Sequence, residues 1–365
     1  MNIKIIAYYL PQYHSIPEND LWWGKGFTEW TNVKKASPLF DGHSQPVEPG
    51  ELGYYNLLDT DIRLRQAELA KNHGIHGFCY WHYWFGNGKT LLEKPLQRVL
   101  ESGQPDFPFC MGWANESWTG IWHGSPDKVL INQSYPGVED IHNHFDYVLK
   151  FFIDSRYIKI DNKPFFLIYQ PEKHPDLKQF TDIFHERALN EGFDGMHFVA
   201  TNVQESWDLE EFGFSANAPS YHNGIIWQRR KGLIDRIREK FWVSENENPS
   251  LPKHLYMYEE AVRYFLPGSK NNTLLYPTAV PNWDNSPRSG MRGVILHKSS
   301  PELYGQHLRK VLEFGANNRD NIVMLKSWNE WAEGNYLEPD KKWGRAYLEM
   351  TKRVVEAFRS AKAES

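Results

Sequence analysis

Eight short apolar runs recur along the 365 residues, and most are followed by a stretch with helical spacing. The runs cover residues 3–9, 77–80, 107–113, 165–169, 197–200, 212–218, 274–280 and 322–325, the sixth being weak. The helical stretches cover 59–73, 91–101, 141–152, 177–190, 257–265, 301–314 and 346–361. In the first of these, Asp59 or Thr60 caps a run with Ile62, Leu64, Ala67, Leu69 and Ala70 on one side, and Gly74 stops it. Alternation of this kind implies a parallel sheet. Eight units in one chain is the count of a closed (β/α)8 TIM barrel, expected here as one α/β catalytic domain over residues 1–365. An open doubly wound sheet would want a phosphate or dinucleotide loop near the first strand, and neither GxGxxG nor GxxxxGK[ST] occurs. Two segments interrupt the repeat. Residues 15–55 form a long first βα loop rich in Gly, Pro and Trp, and loops of that length are usually functional. Residues 225–253 read as an insertion, basic and amphipathic, with a solvated helix face expected ahead of membrane or polysaccharide contact.

The polar and aromatic clusters all follow their apolar runs. Tyr9 and His14 lie at the end of the first, and Trp23, Glu29 and Trp30 in the long loop after it. Trp81, His82 and Tyr83 follow the second run; Trp113, Asn115, Glu116 and Trp118 follow the third. Tyr169 ends the fourth, Asn282, Trp283 and Asp284 follow the seventh, and Trp328, Asn329 and Tyr336 follow the eighth. Barrel enzymes build their sites on that face, so these residues are expected to line a substrate cleft.

Within the last cluster, Glu330 and Glu333 are three residues apart. On a helical turn such side chains share a face, with Cβ atoms roughly 5–6 Å apart. Retaining glycosidases hold two carboxyl groups about 5–5.5 Å apart. One must stay protonated near neutrality, and burial or a neighbouring carboxylate raises its pKa. Glu330 with Glu333 is the leading acid pair; Glu29, Glu116, Asp284 and Glu338 are the other candidates, Glu116 the strongest of them. A chain with 15 Trp, 19 Tyr and 21 Phe has aromatic faces to spare for stacking on sugar rings.

Other chemistries find little support. A net charge of −5 argues against a nucleic-acid partner. Two cysteines, Cys79 and Cys110, make neither a disulfide scaffold nor a zinc cluster. His14, His82 and His123 lack metal-ligand spacing such as HExxH, so neither a metal nor another cofactor is expected. There is no GxSxG for a serine nucleophile. The N-terminal run is too short for a signal peptide and no stretch is long enough to span a membrane, so a cytoplasmic location is expected.

Five blocks, AYYLPQYHSIPENDLWWGKGFTEWTNV, GFCYWHYW, FPFCMGWANESWT, PNWDNSPR and WNEWAEGNYLEPD, resemble glycoside hydrolase family 99-like, WbsX-type proteins, in order from about residue 5 to 350. The resemblance implies a (β/α)8 barrel. Through the related endo-α-mannosidases it implies retaining hydrolysis, with Glu333 as general acid/base at the glycosidic oxygen. Glu330 would take the proton of the sugar 2-hydroxyl, which attacks its own anomeric carbon to give a 1,2-anhydro intermediate. The substrate implied is an α-linked, manno- or rhamno-configured polysaccharide. The mannosidases have His where this chain has Ala332, and the WANE block and the 225–253 insertion belong to the WbsX-like branch, associated with surface-polysaccharide biosynthesis. Two rival readings remain open: a glycosyltransferase or transglycosylase, and a non-catalytic glycan-binding barrel.

Overall fold

The computed structural model describes residues 3–120, 125–204, 206–219, 251–266 and 274–363, with side chains from 129 onward in the strand that begins at 125. Eight parallel strands among them form one curled sheet: β1 (Lys4–Tyr9), β2 (Gly77–Trp84), β3 (Phe109–Trp113), β4 (Lys163–Ile168), β5 (His197–Ala200), β6 (Ala216–Asn217), β7 (Thr278–Ala279) and β8 (Ile322–Leu325). Their spatial order is β6-β5-β4-β3-β2-β1-β8-β7. β1 is central to the register, with Ala7 opposite Leu325 of β8 and Phe78 of β2. The two outer strands close the ring through one parallel bridge at Asn217 and Leu275. There Asn217 N donates to Leu274 O and Tyr276 N to Asn217 O, both at 2.8 Å. The result is the (β/α)8 TIM barrel expected from the repeat.

Strands of a parallel sheet are covered on both sides, which is why they read as unbroken apolar runs. All eight residues of β2 are buried. Inside the ring, Gly112 of β3 gives room for Trp81 of β2: a Cβ there would stand 3.2 Å from Trp81 Cζ3 and from Cys79 Sγ. The outer layer includes α1 (Thr60–Asn72), α2 (Lys94–Ser102), α3 (Val138–Phe152), α4 (Leu177–Asn190), α5 (Pro301–Gly315) and α6 (Ala346–Ala363). Their starts obey local chemistry. Asp59 accepts from Asp61 N ahead of α1, and Ser300 accepts from Leu303 N ahead of α5, whose first residue is Pro301.

Some elements differ from expectation. The second strand runs on to Trp84, because the aromatic run after Tyr80 continues the ladder. The sixth and seventh strands shrink to two residues each. The long first loop carries two short helices, Pro17–Trp23 and Glu29–Lys35. Residues 257–265 are not one helix: strand His254–Met257 pairs with Val294–His297, then a four-residue helical turn and a 3-10 turn follow. A hairpin of Trp118–Gly120 and Ser125–Ile131 stands after β3. The insertion expected at 225–253 lies outside the described residues except for its last three positions. Among the described residues no helix is long and apolar enough to cross a membrane.

Candidate active site

The chain leaving β8 is pinned at several points before it reaches the glutamates. Trp328 N donates to Tyr8 O at 2.8 Å. The Asn329 amide clasps the backbone of Leu10, accepting from its N–H at 2.7 Å and donating to its carbonyl at 3.0 Å. The Tyr13 hydroxyl donates to Asn329 O at 2.5 Å and accepts from Trp331 N at 3.1 Å. Glu330 ends the two-residue strand Asn329–Glu330, and Trp331–Glu333 is a 3-10 turn. Glu330 is the residue that caps this turn and Glu333 is its last, so a single turn of chain separates the two carboxyl groups. Gly334 then turns the chain at φ +57°, where a Cβ would fall 2.8 Å from Asp284, whose N–H donates to Glu333 O at 2.7 Å.

The two carboxyl groups lie within hydrogen-bond reach of each other, and their environments pull them apart electrostatically. Burial alone pushes Glu330 up. Lys326, the hydrogen bond from Glu333, Arg288 and the Trp81 indole outweigh it and hold its pKa below the ordinary value. Trp81 Nε1 donates to Glu330 Oε1 at 3.0 Å, and its ring stacks on Tyr8 at 5.1 Å. Glu333 is raised to about 8, first by burial, then by the Glu330 carboxylate, with Arg288 opposing. The arrangement is one ionised and one protonated carboxyl near neutral pH.

Arg288 comes from the short helix Ser286–Ser289 and reaches two carboxyl groups at once. Its NH1 donates to Glu333 Oε1 at 2.7 Å, while its Nε and NH2 meet Glu29 Oε2 at 3.1 and 3.0 Å. Glu29 opens the helix Glu29–Lys35, held by a Thr28–Thr31 capping box. Glu116, beyond β3, accepts from Gln170 Nε2 at 2.8 Å and is raised chiefly by burial.

These groups surround a cleft of about 460 Å³ on the C-terminal side of the barrel. Of the residues expected at the site, Trp23, Glu29, Trp81, Tyr83, Glu116, Trp118, Tyr169, Trp283, Glu330 and Glu333 line it. Asn282, Asp284 and Tyr336 line a second cavity of about 420 Å³ instead, where Asp284 accepts from His43 Nε2 and Gln45 Nε2. The rest do not reach the cleft. Tyr9 donates to Gln66, His14 packs against Pro11 O, and Trp30 donates to Tyr55 O. His82 shares a hydrogen bond with His144 at 2.9 Å, both rings driven toward neutrality by burial. Trp113 donates to Trp84 O, Asn115 bridges the backbone of Gln170, Trp328 is fully buried against Phe78, and Asn329 is the clasp already described. Glu338 sits behind the cleft, accepting from Tyr55, Gln66 and Trp331, and burial raises it to about 7. His123 lies outside the described residues. Arg288 and Lys326 line the cleft but were not singled out by the sequence reading. Lys326 had one signal, a charge breaking an apolar run at its strand end; Arg288 had none, since its partners are 259 and 45 residues away. Among the described residues no group of three or more His, Cys, Asp or Glu side chains could hold a metal ion.

Comparison with known proteins agrees with this architecture. The endo-alpha-mannosidase of glycoside hydrolase family 99 from Bacteroides thetaiotaomicron superposes with a TM-score of 0.61 over 99% of both chains, at 16% identity. A glycoside hydrolase-like protein gives 0.57 over 97% of this chain and 94% of that one, at 13% identity. At those identities the likeness concerns the fold. Two uncharacterized WxcX proteins, from Xanthomonas campestris pv. campestris strains B100 and ATCC 33913, are 34% identical over 357 residues, 96% of this chain. The chain spans about half the length of these relatives, 49%. The family model described as glycosyltransferase WbsX matches residues 5–351. With that match across nearly its whole length, the chain belongs to the WbsX family.

Proposed function

We propose that the protein is a retaining, endo-acting glycoside hydrolase of an α-linked, manno- or rhamno-configured polysaccharide. The observation that carries this reading is the Glu330–Glu333 pair, poised in opposite protonation states within an aromatic cleft. In the first step the Glu330 carboxylate takes the proton of the sugar 2-hydroxyl. The freed oxygen bonds to the anomeric carbon, the glycosidic bond breaks, and its electron pair leaves with the aglycone oxygen. That oxygen receives the proton of Glu333. In the second step water gives a proton to Glu333 and its oxygen bonds to the anomeric carbon; the bond between that carbon and the 2-oxygen breaks, and the 2-oxygen keeps the electron pair and recovers its proton from Glu330. The NH1 of Arg288, 2.7 Å from Glu333 Oε1, supports the anionic form that Glu333 takes between the steps. Trp81 fixes the Glu330 oxygen through its indole N–H. Trp23, Trp118 and Trp283 offer ring faces to sugar units.

Digestion of a panel of α-linked glycans, with product analysis, tests the proposal. Glu330→Gln and Glu333→Gln should each abolish hydrolysis and keep the fold. Full activity in either variant would remove the assignment. The family's description favours a second reading, sugar transfer. Chain growth from nucleotide-sugars and acceptors, with no hydrolysis, would establish that reading instead.

A further inference from the structure

One cation in the cleft makes no ion pair with either glutamate of the acid pair. Lys326 follows β8 directly, is 6% exposed and lines the cleft. Its ammonium stands 5.8 Å from the ring centre of Tyr8 and 5.5 Å from that of Trp283. No side-chain acceptor among the described residues lies within hydrogen-bond or ion-pair distance of it. It nonetheless acts through space on Glu330, Glu333 and Glu116. An ammonium taken out of water between two ring faces is strongly under-satisfied unless an acceptor comes to it. Arg288 cannot take its part, being committed to Glu29 and Glu333.

The proposed chemistry asks for such a cation. A sugar hydroxyl is a far weaker acid than a carboxyl, so its proton moves to Glu330 only if the charge left on oxygen is met by a positive group. We infer that Lys326 is a catalytic residue that donates a hydrogen bond to the same substrate hydroxyl that Glu330 deprotonates, and stabilises the oxyanion forming there. This rests on the hydrolase reading above. The balance is simple: the O–H bond breaks toward Glu330, its electron pair forms the bond to the anomeric carbon, and Lys326 keeps its three protons throughout. A compact ammonium suits one oxygen better than the planar fork of an arginine. Its placement against Tyr8 and Trp283 lowers the local dielectric and strengthens the effect.

The test uses Lys326→Met, Lys326→Arg and Lys326→Ala beside Glu330→Gln and Glu333→Gln, on a glycan the wild type hydrolyses. Lys326→Met should lose about 10²-fold in kcat, the scale of losing one oxyanion donor. Its KM should stay within about threefold, as expected for an interaction made in the transition state. Lys326→Arg should recover part of the loss, and added ethylammonium should partly restore Lys326→Ala. A Lys326→Met enzyme within about twofold of the wild type, or a loss confined to KM, overturns the inference. So does a loss that neither Arg nor ethylammonium relieves. If the two glutamine variants are inactive while Lys326→Met is active, only this inference fails; if the glutamine variants are active, the hydrolase reading fails with it. A substrate-free arm follows the Glu330 carboxyl by carbon-13 NMR against pH. Glu330 is faced by Lys326, Glu333, Arg288 and Trp81, and by the phenols of Tyr8, Tyr83 and Tyr169. Its midpoint should rise in Lys326→Met and return in Lys326→Arg; an unmoved midpoint also overturns the inference.

Discussion

Replacing Glu333 with Gln should make the protein more stable above neutral pH. In the fold this side chain is 12% exposed, and its pKa is raised from 4.5 to about 8, by burial first and by Glu330 second. An unfolded chain gives up the same proton near 4.5. Between the two values the native state therefore holds more protons than the unfolded one. The stability this group confers is complete below pH 4.5 and is lost as the pH rises toward 8. One pKa unit corresponds to about 1.36 kcal/mol, so the interval sets a ceiling of about 5 kcal/mol lost by pH 9. The opposing pull of Arg288 is already contained in that interval. Gln stands in for the protonated carboxyl and cannot ionise. The variant should match the wild type within about 1 kcal/mol near pH 5, the worth of one altered hydrogen bond. It should then stand above it by a margin that grows toward about 5 kcal/mol at pH 9. Urea unfolding at pH 5, 7 and 9, followed by tryptophan fluorescence, gives the difference from the midpoints and slopes. Other raised carboxyls, such as Glu338 and Glu116, are common to both proteins and drop out of the comparison. Curves that stay parallel across this pH range, or a variant that falls faster than the wild type, would refute the claim that Glu333 is held protonated by its surroundings.

Two further outcomes test the frame around the pair. Arg288→Met leaves Glu29, 5% exposed, with no cation beside it, and should lower stability by about 3–5 kcal/mol at pH 7, read as a shift in the denaturation midpoint. Gly334→Ala must adopt φ +57° and place a Cβ 2.8 Å from Asp284 N; it should destabilise by about 1–3 kcal/mol and, by moving the Glu333 carbonyl, lower turnover on the same glycan, so a variant equal to the wild type in both assays would contradict the packing described.

The parts of the fold legible in sequence were those fixed by local pattern. Apolar runs of four to seven residues marked the strands well where the ladder is long, as for β1, β3 and β8. They marked it poorly where pairing stops early: Phe212 and Gly213 belong to a turn, and only Ala216–Asn217 reaches the sheet. The tryptophan-rich loop hid two helices because aromatic residues there serve the cleft and the core at once and leave no clean period. In the site, the glutamate pair was legible because both members lie on one turn. His82, Asn115 and Asn329 are polar residues at strand ends like the others, yet their partners are His144 and the backbones of Gln170 and Leu10. Only the three-dimensional neighbours decide which polar residues are satisfied by the protein and which face a ligand. Arg288 shows the converse, since its role depends on Glu29 in a loop at the other end of the chain.

The barrel closes where its strands are shortest. From β1 to β4 the ring is stitched by registers of three to five residues, and these strands carry Tyr8, Trp81 and Tyr83, with Glu116 and Tyr169 just beyond two of them. Among the described residues the closing seam, by contrast, rests on a single bridge at Asn217, and Trp283 and Arg288 follow the strand on its far side. One wall of the cleft is thus a keel and the other a hinged plank. Strain delivered by a bound chain would be taken up on the arginine side, leaving the indole that steadies Glu330 where it is.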